Sequence, residues 1–121
     1  MGVKVQINRR WVGFVLLTGI VLGGTAAIAD PLDISGAKIV REGNGHGAPA
    51  CTSCHGVDLD GSLETGAPAI SGKSPKYLIM RLEHYAGPQG HNAAMRRVAT
   101  SLSPRERIEV ANYIAGLPAR K

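Results

Sequence analysis

Large aromatic side chains are scarce in this chain of 121 residues, because phenylalanine, tryptophan and tyrosine together make up only 4% of it. The single tryptophan and the single phenylalanine, Trp11 and Phe14, stand near the N-terminus, so the remainder holds only three tyrosines. A small domain with so few rings lacks much of the side-chain volume that usually fills a core. A buried macrocycle would supply that volume.

Strand patterns and cysteine are also lacking. No segment alternates apolar and polar residues convincingly as a strand does, so we predict an all-α fold. The chain has only two cysteines, Cys51 and Cys54. A disulfide between them would close a very small, strained loop. Nothing in the chain resembles a nucleophile triad or a phosphate-binding loop.

The N-terminus has the three parts of an export signal. Lys4, Arg9 and Arg10 form a basic region, residues 12–22 are mainly apolar, and residues 27–29 read Ala-Ile-Ala, a small-residue cleavage site. We therefore predict an export signal over residues 1–29 and one domain over residues 30–121, which is 92 residues. The alternative is a retained membrane anchor, since residues 11–29 approach the minimum length of a span.

The positive charge belongs mainly to this leader. The whole chain is formally +5, and the leader holds three of its 14 basic residues and none of its 9 acidic ones, which leaves 11 basic residues against 9. Because the remaining domain is nearly neutral, the high isoelectric point gives no reason to expect nucleic-acid binding. We predict no nucleic-acid partner.

Residues 51–55 read Cys-Thr-Ser-Cys-His, the attachment signature of a c-type haem. Two thiols about one helical turn apart reach the two vinyl groups on one side of a porphyrin, and the histidine that follows ligates the iron. A redox dithiol needs the two cysteines but no adjoining histidine. A zinc site would have to combine His46 with Cys51, Cys54 and His55, and no second ligand pair follows.

Four helices are predicted outside this motif. The first covers residues 33–42 with Asp33 as its cap, and the next begins at Ser74-Pro75 and ends before Gly87. A short helix follows from about residue 92 to residue 100. A Ser-x-x-Glu capping box at residues 103–106 begins the last helix. Its predicted buried stripe consists of Ile108, Ala111, Ile114 and Ala115.

Residues 56–73 form a glycine-rich loop, long enough to wrap one edge of a bound group.

One axial position of the iron remains open after His55. Methionine and histidine are the residue types that can fill it. Met95 stands 40 residues after His55, far enough for the chain to cross to the opposite haem face. The other candidates in the sequence are Met80, His46, His84 and His91.

Several motifs occur in the order and spacing of a known family, and nearly all of residues 30–121 resembles the class I c-type cytochromes. A glycine of the first helix faces an aromatic of the last, here Gly36 and Tyr113. The remaining motifs are Cys51–Gly56, Pro68-Ala69-Ile70-Ser71-Gly72, Tyr77-Leu78, Met95, Leu102-Ser103 and Tyr113-Ile114. Residues 87–91, Gly-Pro-Gln-Gly-His, depart from the more usual Gly-x-Arg.

The resemblance implies a small mono-haem cytochrome c fold, with four to five short helices around one covalently bound haem c. It implies that Cys51 and Cys54 attach the haem and that His55 and Met95 ligate its iron. The carbonyl of Pro68 would hold the His55 ring, and Ile70 would pack on the porphyrin. Because of the departure at residues 87–91, His91 remains the alternative to Met95.

The function implied is one-electron transport rather than enzymatic catalysis. The partners would be periplasmic or membrane-attached redox proteins, such as a dehydrogenase, an oxidase or a bc-type complex. An alternative is an electron-accepting subunit of a dehydrogenase or a sulfur-oxidising complex. A third hypothesis is a haem enzyme or gas sensor with a labile sixth ligand. Cations expected near the haem edge would steer docking onto acidic partners: Lys73, Lys76, Arg81, Arg96 and Arg97.

Substitution at the predicted cleavage site tests the leader. We expect Ala27→Leu or Ala29→Leu to hinder processing, because the site requires small side chains. The measurement is the size of the exported protein on a gel beside the wild type. An unchanged size would mean that cleavage occurs elsewhere or that the leader is retained.

Overall fold

In the computed structural model, the described residues are Gly2 and residues 35–120. The chain divides into two units, Met1–Asp30 and Pro31–Lys121, and the helices described below belong to the second. The predicted export signal over residues 1–29 lies outside the described residues apart from Gly2, so it stays a prediction. Within the described part, no helix has the length and apolar character that crossing a membrane requires.

The described part of the second unit is built from helices, as predicted. Along residues 35–120 there are five: α1 (Gly36–Glu42), α2 (Thr52–His55), α3 (Pro75–Ala86), α4 (Ala93–Ser101) and α5 (Pro104–Ala115). The first helix begins later than predicted. Its N-cap is Ser35, whose hydroxyl accepts the Lys38 amide at 3.4 Å, and Asp33 lies outside the described residues.

Serine side chains cap α3 and α5 as the sequence predicts. The Ser74 hydroxyl accepts the Tyr77 amide, and Ser103 and Glu106 form a reciprocal capping box. Partial burial raises the pKa of Glu106, but hydrogen bonds from Ser103 and Asn44 outweigh it and hold that pKa below its ordinary value. This contribution to stability is therefore present at neutral pH and is lost as the pH falls through the lowered pKa.

The core forms where α5 packs against α1 and α3, and α3 also packs against α4. The buried residues of α5 are Val110, Ala111 and Ile114. The predicted position of Ile108 in this stripe is wrong, because its side chain is 46% exposed. Gly36 of α1 meets α5 at Glu109 and Tyr113 rather than at Ile108. The remaining apolar core residues are Ile39, Val40, Ala48, Leu59, Leu78, Leu82, Ala99 and Leu102.

Gly36 lets α1 lie directly against α5. A Cβ atom at this position would overlap the carbonyl oxygen of Glu109 and lie 3.1 Å from the Cβ of Tyr113. The contact involves backbone, which cannot rotate aside as a flexible side chain can. The predicted pairing of Gly36 with Tyr113 is thus a close helix crossing, and the Arg41 guanidinium donates to the Tyr113 hydroxyl at 2.7 Å beside it.

Asn44 ties the loop before the Cys51 motif to the corner between α4 and α5. Its Oδ1 accepts the amides of His46 and Ala48 at 2.9 and 3.0 Å. Its Nδ2 donates to the Ser101 carbonyl at 2.7 Å and to Glu106 at 3.3 Å. One side chain therefore holds the loop before Cys51 against the end of α4 and the start of α5.

We expect Gly36→Ala to destabilise the fold by about 2 kcal/mol or more, because the added methyl group meets backbone. For a domain of this size, this lowers the melting temperature by roughly 10 °C. Gly116→Ala is the matched control, because φ at Gly116 is −77° and its nearest contact would be an ordinary 3.5 Å. Equal thermal unfolding curves for the two variants would contradict the close crossing.

Candidate cofactor site

The Cys51–His55 motif forms a single helical turn. The His55 amide donates to the Cys51 carbonyl at 2.9 Å, and the Cys54 amide donates to the same carbonyl at 3.3 Å. Gly56 ends the turn with φ of 85°, in the left-handed region that favours glycine. The turn leaves Cys51 half-buried and Cys54 exposed, whereas His55 is 6% exposed. Both thiols are free.

The ring of His55 is held by one hydrogen bond to the loop that follows it. Its Nδ1 lies 2.7 Å from the carbonyl oxygen of Pro68. Because a carbonyl oxygen can only accept, Nδ1 carries the proton, and the lone pair of Nε2 remains available to a metal. This is the second-sphere contact by which proteins orient a ligating histidine and raise its basicity.

The loop that carries Pro68 folds back onto the motif. Gly61 donates its amide to the His55 carbonyl at 2.8 Å, and the Thr65 hydroxyl donates to the Cys54 carbonyl at 2.5 Å. Leu59 is buried with φ of 59°, a conformation that costs a non-glycine residue about 1–2 kcal/mol. Its carbonyl accepts the amides of Ile70 and Ser71, which close the loop at its base.

The motif opens into a cavity of about 380 Å³. That volume falls within the range of roughly 300–1,000 Å³ found for cofactor and small-molecule sites. Both cysteines, His55, Pro68 and Ile70 lie on its wall. Apolar side chains of α3, α4 and α5 line much of the rest, including Leu78, Leu82, Val98, Val110 and Ile114. A second cavity, of about 360 Å³, contains neither the cysteines nor His55.

Met95 is the one candidate sixth ligand that the structure brings to this cavity. It stands in the first turn of α4, where its amide donates to the Asn92 side chain at 2.9 Å. His46, Met80, His84 and His91 are all exposed, and none of them lies on the cavity wall.

A row of polar residues along α3 also lines the cavity, which was not predicted. Tyr77, Arg81 and Tyr85 recur at every fourth position, and the Arg81 guanidinium donates to the Tyr85 hydroxyl at 2.8 Å. The signal was present in the sequence, because residues four apart share one helix face. Arg81 was expected near the haem edge, but its alignment with Tyr77 and Tyr85 along one face of α3 was missed.

Burial raises the pKa of the Cys51 thiol to about 11. The thiol is therefore almost entirely protonated at neutral pH, whereas a redox dithiol reacts as the thiolate. Within residues 35–120, no three histidine, cysteine, aspartate or glutamate side chains gather into a group that could hold a metal ion. Neither the dithiol nor the zinc interpretation gains support from this geometry.

The residues present fit a c-type haem. One cavity wall presents two free thiols on a single turn, an imidazole with its Nε2 lone pair available, and a methionine thioether. The remaining wall is largely apolar, as a macrocycle requires. This donor set defines an all-helical haem-binding protein of the c type.

The chain belongs to the cytochrome c family, because the family model "Cytochrome c" matches residues 36–118. It carries one covalently bound haem c, as the Cys51, Cys54 and His55 pattern of that family indicates. Its similarity to class I cytochromes, predicted from the sequence, is confirmed by this match and by solved cytochrome c4 structures.

Two solved cytochrome c4 structures resemble the chain. That from Pseudomonas stutzeri is 32% identical with a TM-score of 0.61, over 69% of this chain and 46% of the other. That from Acidithiobacillus ferrooxidans is 28% identical with a TM-score of 0.63, over 68% and 47%.

Two relatives carry thiosulfate dehydrogenase names. A thiosulfate dehydrogenase structure from Marichromatium purpuratum is 28% identical with a TM-score of 0.66, over 69% of this chain and 18% of the other. A thiosulfate dehydrogenase electron acceptor from Thiomonas intermedia (strain K12) is 31% identical over 70 residues, which is 58% of this chain and 32% of the relative. The chain thus spans less than half the length of each of these four relatives.

Replacing both thiols tests the mode of attachment. We expect Cys51→Ser with Cys54→Ser to lose covalent haem, because serine forms no thioether. Extraction with acidified organic solvent should remove haem from the variant and leave it on the wild type. Haem that stays with the variant after extraction would contradict attachment through these residues.

Proposed function

We propose that the protein carries single electrons between redox proteins, with His55 and Met95 as the two axial ligands of its haem iron. The observation that carries this proposal is the shared cavity, whose wall includes the Cys51–His55 turn and Met95 but none of the other candidate ligands. The haem supplies one-electron chemistry when bound, by cycling between ferric and ferrous iron.

The chain's own residues would tune and protect that chemistry. Pro68 orients the His55 imidazole through the hydrogen bond at Nδ1. A methionine thioether is a soft ligand that favours the ferrous state and raises the reduction potential. The apolar side chains around the cavity exclude water from most of its wall. With both axial positions occupied by protein side chains, no position remains for a substrate, and we propose a carrier rather than an enzyme.

The partners we propose are redox proteins with an acidic surface near their own electron-transfer site. Lys73 and Arg81 lie on the cavity wall and are exposed, and the other predicted cations are exposed but do not line it: Lys76, Arg96 and Arg97. Such charges raise association rates with acidic surfaces. We place the protein outside the inner membrane, on the strength of the predicted export signal.

A second function is favoured by two of the comparisons. The relatives from Thiomonas intermedia and Marichromatium purpuratum are a thiosulfate dehydrogenase electron acceptor and a thiosulfate dehydrogenase. By analogy the chain would be an electron-accepting subunit of such an enzyme. Co-purification separates the two proposals, because a stable stoichiometric partner would contradict a freely diffusing carrier.

Met95→Ala tests the ligand assignment. We expect the reduction potential to fall by on the order of 0.1 V, within the ~0.8 V range that axial ligands set. We also expect carbon monoxide to bind the reduced variant readily and the wild type weakly. A wild type that binds carbon monoxide readily would instead favour the gas-sensor or haem-enzyme hypothesis.

Two further substitutions serve as controls for Met95→Ala. Met80→Ala removes a methionine that is 57% exposed and absent from the cavity wall, and should change neither property. His91→Ala should likewise preserve the Met–iron absorption band of the oxidised protein. Loss of ligation in His91→Ala with retention in Met95→Ala would assign the sixth position to His91.

A further inference from the structure

A carboxylate closes the base of the loop that carries Pro68. Asp60 accepts a hydrogen bond from the Ser71 hydroxyl at 3.1 Å, and the Ser71 side chain is buried. The neighbouring Leu59 carbonyl accepts the amides of Ile70 and Ser71. Three hydrogen bonds therefore join residues 59–60 to residues 70–71, and Pro68 stands only two positions before Ile70.

The same carboxylate pairs with the end of the described chain. Arg120 Nη1 lies 2.9 Å from Asp60 Oδ2, the single ion pair found among residues 35–120. The Arg120 side chain is 76% exposed, but that of Asp60 is only 19% exposed. An ion pair between two freely exposed groups contributes little. This pair differs because the carboxylate is held on its other oxygen by a buried serine.

The segment after α5 is held against the loop by more than this charge. The loop's end is fixed to α5 itself, because the Gly72 amide donates to the Ile114 carbonyl at 3.2 Å. A Cβ atom at Gly72 would lie 2.5 Å from the Cβ of Ala119, and φ at Gly72 is 66°. The backbone around Ala119 thus lies directly on the loop's end, which brings Arg120 within reach of Asp60.

We propose that Asp60 is a positioning residue for the His55 imidazole and that Arg120 fixes Asp60 in the orientation it needs. The inference rests on the proposed role of His55 as an iron ligand. The connection runs from Arg120 to Asp60, from Asp60 to Ser71, and through the backbone of residues 68–71 to the Pro68 carbonyl that holds Nδ1. The segment after α5 then helps to orient His55 through Asp60, Ser71 and the loop backbone rather than through a direct contact.

This connection from Arg120 to Pro68 predicts a graded series of effects in variants. Asp60→Ala removes the acceptor for Ser71 and the charge for Arg120. Asp60→Asn keeps an acceptor for Ser71 but loses the ion pair, as does Arg120→Gln. Arg120→Lys keeps a cation and should leave the exchange of the His55 ring N–H as in the wild type. Asp58→Asn is the matched control, because it removes an equal charge from an exposed position in the same loop.

The readout is the solvent exchange of the His55 ring N–H, measured by NMR in the reduced holoprotein. We expect exchange to be about tenfold faster in Asp60→Ala, as for the loss of one hydrogen bond to a charged group. Asp60→Asn and Arg120→Gln should fall between this variant and the wild type, with Arg120→Lys and Asp58→Asn close to the wild type. The reduction potential of Asp60→Asn should differ from that of the wild type by more than that of Asp58→Asn, which measures the effect of losing an equal charge alone.

Two outcomes would overturn the proposal. Unchanged exchange in Asp60→Ala with a lower melting temperature would make Asp60 an ordinary structural contact. Equal effects of Asp58→Asn and Asp60→Asn on the potential would reduce the role of Asp60 to its charge. If Asp60→Ala does not fold, Asp60→Asn and Arg120→Gln carry the same test. A wild type without covalent haem or a Met–iron band would instead contradict the proposed function.

Discussion

The hydrogen bond between His55 Nδ1 and the Pro68 carbonyl is the interaction on which the site depends. It fixes the tautomer of the imidazole, and with it the nitrogen that a metal can use. The carbonyl can stand there only because residues 56–73 fold back on the helical turn that precedes them. Two features stabilise this loop conformation. One is the buried Leu59 with its left-handed backbone, and the other is the pair of hydrogen bonds to the carbonyls of Cys54 and His55.

The part of the cavity wall that includes Met95 is organised by a different kind of contact. Met95 lies in the first turn of α4, and Asn92 caps that turn through the Met95 amide. Asn44 then connects the far end of α4 to the loop that leads into Cys51. The loop that leads into Cys51 and the helix that carries Met95 are therefore joined at one corner of the molecule, where the Ser103–Glu106 capping box begins α5.

Local chemistry in the sequence predicted much of this arrangement. The Cys51–His55 turn, the serine caps of α3 and α5 and the pairing of Gly36 with Tyr113 depend on short motifs or on a family pattern. The predicted burial of Ile108 is wrong because the fold covers the face of α5 that carries Val110, Ala111 and Ile114, and periodicity alone does not reveal which face is covered. The Asp60–Arg120 pair was not predictable, because its partners are 60 positions apart and neither belongs to a motif.

The crossing of α1 and α5 also constrains the order in which the molecule can assemble. The hydrogen bond from Arg41 to Tyr113 closes a segment of 72 residues, at an entropic cost of about 4 kcal/mol for the chain alone. Val110 and Ile114 of α5 form part of the cavity wall. Until the last helix docks, the cavity lacks that wall, and a macrocycle already bonded to Cys51 and Cys54 would offer α5 the apolar surface on which to close.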